Sequence, residues 1–363
     1  MQKEQGGLEG RNMAIGNLKI QIRNAIAEGG FSYVYLARDN LNISKQYALK
    51  HIICNEEESL ELVMREISVM KSLKGHPNVV SLLAHTILDM GQTKEEFLVM
   101  EFCEKSLVNV LERRGAGYFE EKQVLTIFKD VCNAAFAMHC YISTNHKRFE
   151  RPEEMGIEED NIRKYTTPAC KAPEMWDLFR RKVISEKVGI WALGCLLYRI
   201  CYFKYAFDGE SKLQILNGNY RIPALPKYSA AILDLIRGML QASPDDGPDI
   251  TQVWFRVNEQ LPENLQKSLE DWKFFLVVKR SAWLNSWWKN TQNGVFTCSD
   301  RMPDSLPRNT RCAVGRIADM VLQPIKACHV SEKVPQDQSD AATWAFKANN
   351  TSTRHRDQSG VAT

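Results

Sequence analysis

The sequence has no long hydrophobic run, little excess of either charge and few cysteines, and each absence excludes a class of protein. The longest apolar stretches, near residues 191–202 and 274–278, fall short of the ~20 residues that a membrane-spanning helix needs. Lys and Arg number 47 against 44 Asp and Glu, and a net charge of +3 gives no reason to expect nucleic acid as a partner. Ten cysteines in 363 residues, without a Cys-x-x-Cys pair, exclude a disulfide scaffold and a zinc ribbon and favour a reducing compartment.

The N-terminal segment also lacks recognisable targeting signals. MQKEQGGLEGRNM is polar and has no apolar signal-peptide core, and Gln2 excludes N-myristoylation. A hydrophobic content of 44% with 25% charged residues is that of an ordinary globular protein, long enough for two lobes and a tail. The sequence therefore predicts a cytoplasmic protein.

Hydrophobic periodicity divides the chain into a strand-rich part and a helical part. Period-2 alternation predicts three strands within 17–53 and further strands at 79–86 and 96–101. Apolar residues every three to four positions predict helices at 57–74, 107–113, 120–140, 187–203, 229–240 and 250–260. Residues 141–176 are charged, contain three prolines and are predicted to be irregular.

Two features of the strand-rich part point to nucleotide chemistry. AEGGFSYVY, residues 27–35, joins two predicted strands, and a glycine-rich hairpin can place backbone N–H groups against phosphates, although two glycines also form ordinary turns. Lys50 ends an otherwise apolar strand, and Glu66 lies beside the apolar stripe of the next helix, so each charge needs a partner. A lysine that binds phosphates while a helical glutamate holds it is the protein-kinase arrangement. The alternative is a lysine reaching solvent and an exposed glutamate.

Several motifs in order make the chain resemble a eukaryotic serine/threonine protein kinase. They are GGFSYVYLARD, YALKH, MREISVMKSLKGHPNVV, FLVMEFCEKSL, KYTTPACKAPEMWD and KVGIWALGCLLYRICYFKYAF. Within that superfamily the sequence is most similar to the Numb-associated, adaptor-associated and actin-regulating kinase group, which includes plant members. The resemblance covers residues 16–261 and implies a bilobal α+β fold. The expected parts are a flexible N-terminus 1–16, a small β-rich lobe with one helix and the hinge 17–103, a truncated helical lobe 104–261 and a largely disordered tail 262–363.

The resemblance also implies roles for individual residues. Lys50 would bind the α- and β-phosphates of ATP with Glu66 as its helical partner, Met100 would be the gatekeeper, and residues 101–103 the hinge that binds adenine. The implied ATP-binding set is Ala27, Gly29, Gly30, Ser32, Val34, Ala48, Lys50, Glu66, Met100, Glu101 and Cys103. The implied activation segment contains Thr166 and Thr167 and ends at Ala172, Pro173 and Glu174. The implied partners are protein substrates, with clathrin-adaptor and actin-regulatory proteins as the analogy.

The resemblance fails where catalytic residues are expected. Kinases of this kind carry HRDLxxxN and then DFG before the APE motif, but residues 141–174 contain neither. The missing segment, joined near residues 141–143, would supply the catalytic Asp, the Asn and the Asp that holds Mg²⁺. The sequence therefore offers no catalytic residue, predicts only weak ATP binding and argues against a Mg²⁺ site. Three hypotheses stay open: a nucleotide-binding pseudokinase or scaffold, a splice or gene-model variant of an active kinase, and a non-enzymatic protein- or membrane-binding module.

No other residue replaces the missing motifs convincingly. The HRD at residues 355–357 lacks the following Asn and is interpreted as a chance match. Asp160, Asn161 and His146 lie nearer the gap, but their spacing suggests no Mg²⁺ pair, and a solvated acidic loop is the simpler interpretation.

Two glycines depart from the family pattern in the helical lobe. Gly189 replaces an Asp that anchors the catalytic loop, and Gly247 replaces an Arg that pairs with the APE glutamate. Glu174 is then either solvated, or buried without its partner at a cost of about 3–5 kcal/mol.

The tail contains two further patterns. Residues 272–289 combine aromatic and basic side chains, a pattern that fits an element lying on an anionic membrane surface. The protein would then be located peripherally at endocytic membranes. The same run also fits a tail packed on the helical lobe or a segment of altered reading frame. Cys298, Cys312, Cys328 and His329 have spacings that match no compact zinc knuckle, so no metal site is predicted.

Overall fold

The computed structural model describes residues 7–29, 32–91, 93–113, 117–141, 148–166, 168–207 and 212–267. The strands are β1 (Asn12–Ile15), β2 (Leu18–Gly29), β3 (Ser32–Asp39), β4 (Gln46–Cys54), β5 (Leu82–Asp89) and β6 (Lys94–Glu101). The helices are α1 (Glu57–Ser72), α2 (Leu107–Arg113), α3 (Glu121–Tyr141), α4 (Pro152–Tyr165), α5 (Pro173–Trp176), α6 (Lys187–Tyr202), α7 (Lys212–Leu216), α8 (Ala230–Met239) and α9 (Ile250–Glu259). Short 3₁₀ turns occupy Pro168–Cys170, Leu178–Arg180, Pro244–Asp246 and Glu263–Leu265. The predicted α+β fold, with a β-rich small lobe and a helical lobe, is confirmed.

The six strands form one antiparallel sheet in the order β1-β2-β3-β4-β6-β5. Successive side chains of a strand point to opposite faces, so the sheet has two apolar faces with separate cores. One core consists of Ile15, Ile20, Ile22, Tyr35, Ala37, Tyr47, Leu49, Phe97 and Val99. The other consists of Ile52, Cys54, Leu82 and Leu98 with residues of α1. The second face is the one that α1 covers.

Helix α1 forms because its apolar residues recur on one side and its charges suit the helix dipole. Val63, Ile67 and Met70 are buried against the sheet. Acidic residues stand in the first turn and a lysine in the last. Glu66 lies three residues after Val63 and four before Met70, which puts it on the same side of the helix as the buried residues.

The helical lobe packs around α6. Fourteen residues of α6 are buried, and only Lys187 and Arg199 in this helix are not. Gly194 permits the close approach of the α8 end, because a Cβ there would lie 2.8 Å from Leu240 Cδ2. None of the helices in the described part of the chain combines the length and apolar character that crossing a bilayer requires.

A buried polar network joins the small lobe to the helical lobe. The Asn133 side-chain amide, on α3, donates to Asn78 Oδ1 at 3.3 Å, and its oxygen accepts from Trp254 Nε1 at 2.9 Å. Asn78 follows α1 and Trp254 lies on α9, so one side chain holds three segments together. Buried polar groups satisfied in this way are costly to disrupt.

The structure corrects two sequence predictions. Strand β1 lies inside the segment predicted to be a flexible N-terminus, because Ile15 is fully buried and residues 12–15 pair with β2. Helix α4 lies inside the segment predicted to be irregular, because Met155 and Ile162 are buried on one side of it. The six predicted helices begin and end within two residues of the observed ones, whereas the short helices α5 and α7 were not predicted. The tail beyond residue 267, with its aromatic, cysteine and HRD patterns, lies outside the described residues.

Candidate functional site

The centre of the candidate site is an ion pair between the sheet and α1. Lys50 Nζ lies 2.7 Å from Glu66 Oε1, and the two side chains are 15% and 12% exposed. The backbone of Lys50 is held on both sides, since it pairs with Val34 of β3 and Leu98 of β6. The strand and the helix therefore fix the position of both charges, and the pair is largely shielded from water.

The predicted nucleotide-binding residues of the strands share one face of the sheet. Val34 lies opposite both Ala27 and Lys50, and Ala48 lies opposite Met100. Because Ala48 and Lys50 are two residues apart on β4, these five side chains belong to the same face. This face could be deduced from period-2 alternation once the register is known.

The hairpin between β2 and β3 closes at the edge of this face. Gly29 pairs with Ser32, so the strands run up to the turn. Gly30, also predicted to contact phosphate, lies outside the described residues. Leu36 of β3 stands opposite Ala48 and shares the face. It was not among the predicted site residues, although the alternation of the strand carried that signal.

The predicted hinge leaves the sheet at the end of β6. The Glu101 N–H donates to the Ser81 carbonyl at 3.1 Å, and the Ser81 N–H donates to Glu101 Oε2 at 3.2 Å. These two bonds fix Glu101 beside the chain that enters β5. Cys103 follows in non-helical, half-buried chain before α2.

The residue that follows Lys50, His51, lies on the opposite face of the sheet. His51 stacks on Phe97 with ring centroids 4.6 Å apart and contacts Glu95 Oε2 at 3.1 Å. Burial lowers the pKa of His51, against the opposing effect of Glu95. The lowered pKa favours the neutral form of His51, whose ring lies on the face of the sheet opposite to Lys50.

The predicted activation-segment residues lie in the helical lobe, away from the Lys50 pair. Thr166 follows α4, and its hydroxyl donates to the Ile162 carbonyl, while Thr167 lies outside the described residues. Ala172, Pro173 and Glu174 are buried at the start of α5. These residues therefore belong to elements of the helical lobe and not to the strands and helix that carry Lys50 and Glu66.

The sequence left open whether Glu174 is solvated or buried, and the structure shows that it is buried. It is 4% exposed, and burial, with a smaller effect of Asp245, raises its pKa to about 7, although Lys182 opposes the shift. Lys182 instead donates to Ser243 Oγ at 2.8 Å. At Gly247, where the family has its arginine, the backbone carbonyl accepts from Lys187 Nζ at 2.6 Å.

The region of the missing motifs consists mostly of helix. Helix α3 ends at Tyr141 and α4 begins at Pro152, so the interpretation of Asp160 and Asn161 as part of a loop is wrong. Asp160 is nevertheless solvated: its side chain is 77% exposed and lies 3.6 Å from Arg163. His146 lies outside the described residues. Within the described ranges, no three His, Cys, Asp or Glu side chains are placed to hold a metal ion.

Comparison with known proteins relates the chain to protein kinases. The model of the protein kinase domain matches residues 20–144. A probable serine/threonine-protein kinase of Dictyostelium discoideum is 37% identical over 286 residues, which are 70% of this chain and 36% of that protein. A second from the same organism is 35% identical over 70% of this chain and 25% of its own length. The serine/threonine-protein kinase ppk30 of Schizosaccharomyces pombe is 32% identical over 69% of this chain and 29% of its own length.

These relatives are longer than the matched region. The chain spans about a quarter to a third of the length of the curated relatives it matches. The chain therefore carries protein kinase domain sequence and has serine/threonine-protein kinases as homologues.

Proposed function

We propose that this chain is a nucleotide-binding pseudokinase or scaffold, which binds ATP on the small lobe and transfers no phosphoryl group. The observation that carries the proposal is the shielded Lys50–Glu66 ion pair, 2.7 Å long, on the same face as Val34, Ala48 and Met100. A lysine that serves only to face solvent needs no buried carboxylate partner. A lysine that binds phosphate needs such a carboxylate partner, because the partner fixes the position of the ammonium group before the ligand binds.

The residues present fit ATP better than they fit its metal. A protein kinase domain uses ATP, usually with Mg²⁺. Lys50 would hold the α- and β-phosphates, with Glu66 orienting it, and backbone groups of residues 101–103 would bind adenine. Mg²⁺ lacks such support, because the sequence contains no DFG and the described residues hold no cluster of metal ligands.

ATP binding to the full chain tests the first half of the proposal. We expect ATP to raise the melting temperature, and Lys50→Ala to weaken ATP binding by about tenfold or more, since a charge-assisted phosphate contact is lost. Lys45→Ala is the matched control, because Lys45 is exposed on the β3–β4 loop and carries the same charge. Equal ATP binding by wild type and Lys50→Ala would contradict the proposed site.

Phosphoryl transfer tests the second half. The catalytic Asp, the Asn and the Mg²⁺-binding Asp account for proton acceptance and metal binding in kinases, and the sequence between α3 and α5 supplies none in a recognisable motif. We expect purified chain to label protein substrates no faster than Lys50→Ala does. Transfer that Lys50→Ala abolishes would refute the loss of catalysis. The cytoplasm is the proposed location, with clathrin-adaptor or actin-regulatory proteins as the partner class by analogy.

A second function is favoured by where the family match ends. The protein kinase domain model matches up to residue 144, beside the junction at residues 141–143 where the catalytic segment is expected. This coincidence supports a splice or gene-model variant of an active serine/threonine kinase. Sequencing the transcript across this junction distinguishes the two: an added segment of about thirty residues with HRD and DFG supports the variant. A short junction alone supports the pseudokinase.

A further inference from the structure

The loop between α8 and α9 contains a serine followed by proline and is held by two lysines. Ser243 precedes the 3₁₀ turn Pro244–Asp246 and is half-buried, and its backbone is extended, as the position before a proline favours. Lys182 Nζ donates to Ser243 Oγ at 2.8 Å. At the other end of the loop, Lys187 Nζ donates to the Gly247 carbonyl at 2.6 Å. Lys182 precedes α6 and Lys187 begins it, so the loop is held against the start of this helix.

The hydroxyl of Ser243 faces a cation that has no carboxylate partner. Its oxygen makes no capping bond to the 3₁₀ turn that follows. Among the described residues, Lys182 forms no ion pair, so its ammonium group donates to a neutral oxygen. An ammonium group makes a shorter and stronger hydrogen bond to a phosphate than to a hydroxyl. A phosphate on Ser243 Oγ would place a charge of about −2 beside Lys182.

The sequence at Ser243 has the feature that one class of modifying enzyme requires. Proline-directed protein kinases act on a serine or threonine that is followed directly by proline. The sequence contains two such steps, Thr167-Pro168 and Ser243-Pro244. Thr167 lies outside the described residues, whereas the loop with Ser243 reaches solvent, because Asp245 and Asp246 are exposed.

We propose that Ser243 is a phosphorylation site for a separate proline-directed protein kinase, and that its phosphate pairs with Lys182 and fastens the α8–α9 loop to the segment before α6. Ser243 Oγ attacks the γ-phosphorus of the ATP that the modifying kinase holds, so a P–O bond forms and the bond to the β–γ bridging oxygen breaks. ADP leaves, and the catalytic base of the modifying kinase takes the hydroxyl proton. This site uses no catalytic residue of the chain and does not depend on ATP binding by its small lobe.

Pairing of the phosphate with Lys182 should stabilise the helical lobe. Lys182 exchanges a bond to a neutral hydroxyl for a bond to a dianion, which favours the phosphorylated fold. The exposed carboxylates of Asp245 and Asp246 repel the phosphate and offset part of this gain. We therefore expect phosphorylation of Ser243 to raise the melting temperature by about 2–5 °C.

Peptide mapping of the full chain tests the modification. After treatment with an active mitogen-activated protein kinase and Mg·ATP, and then trypsin, we expect GMLQASPDDGPDITQVWFR (residues 238–256) to be one HPO₃ heavier, with fragment ions placing the group on Ser243. A reaction without the added kinase is the blank. Thr167→Ala is the matched control, because it removes the other Ser/Thr-Pro step and should leave the labelling of Ser243 unchanged, whereas Ser243→Ala should abolish it. Phosphate on Thr251 instead, or an unmodified peptide while a standard substrate is labelled in the same tube, would overturn the site.

Thermal unfolding before and after phosphorylation tests the pairing. With Thr167→Ala present, so that Ser243 is the modified position, we expect the rise of about 2–5 °C. Lys182→Gln should lose this rise, and Lys182→Arg, which keeps the positive charge, should retain it. Lys187→Gln is the control for the loss of a lysine on the same loop, and the difference between its two forms should persist. An unchanged or lowered melting temperature on phosphorylation, or a rise that survives in Lys182→Gln, would overturn the pairing.

Discussion

The buried carboxyl of Glu174 makes the stability of the helical lobe depend on pH in a direction that can be worked out. Its pKa is raised from 4.5 to about 7, chiefly by burial, so the folded protein keeps a proton that the unfolded chain releases. The free energy of unfolding therefore falls as the pH rises from about 4.5 to about 7. At about 1.4 kcal/mol for each pKa unit, the loss amounts to about 3 kcal/mol.

Glu174→Gln removes this dependence, because glutamine has nearly the same size and does not ionise. We expect the variant to match wild type within about 0.5 kcal/mol at pH 4.5 and to be more stable by about 3 kcal/mol at pH 8. Urea unfolding followed by tryptophan fluorescence at pH 4.5, 6 and 8 measures the difference. Glu112→Gln, which removes an exposed carboxylate on α2, is the control for the loss of a surface charge. A difference between Glu174→Gln and wild type that is the same at pH 4.5 and pH 8 would refute the reasoning.

Three further substitutions test the packing of the helical lobe. Gly247→Arg should raise the free energy of unfolding by about 1–3 kcal/mol at pH 8, because a guanidinium at this position can pair with Glu174. The backbone of Gly247 is extended, a conformation that arginine readily adopts. The gain in stability should vanish when Glu174→Gln is also present. Gly194→Ala should lower the melting temperature by several degrees, a loss of about 1–3 kcal/mol, because the new Cβ would lie 2.8 Å from Leu240. An unchanged melting temperature would show that the end of α8 can move away from α6 at no cost. Asn133→Leu should cost about 2–3 kcal/mol in urea unfolding, since its partners lose their hydrogen bonds, and a neutral result would mean that water replaces them.

Much of the fold could be predicted because its signals are local. The buried positions of α1 and α9 recur with helical period, and the period-2 alternation of β3 and β4 is clear in the sequence. Strand β1 was missed although Gly16, at φ +57°, and the following Asn17 form the two-residue turn of a hairpin. Helix α4 was missed because its solvated side is so heavily charged that the few buried residues do not stand out.

The site was predictable to the extent that it lies on regular elements. Lys50 and Glu66 were selected because an apolar strand and a helix stripe each contained a charge out of place, and the structure puts the two in contact. Lys50 was predicted to end its strand, but it lies in the middle of β4. The burial of Glu174 and the Asn133 bridge depend on segments far apart in sequence. Their partners are determined by tertiary packing, for which a single sequence carries no local signal.

The register of the sheet has a consequence for the order of events during synthesis. Among the described residues, every strand partner, from Asn12–Gln21 to Tyr47–Glu101, lies within the first 101 positions, as do the described members of the two cores on the sheet faces. At about 5–20 residues per second, the ribosome needs roughly 15–50 s to add the remaining 262 residues. The small lobe thus has all its pairing partners long before α6 exists. If the helical lobe later fails to pack, the chain that the quality-control machinery recognises would already contain a folded sheet.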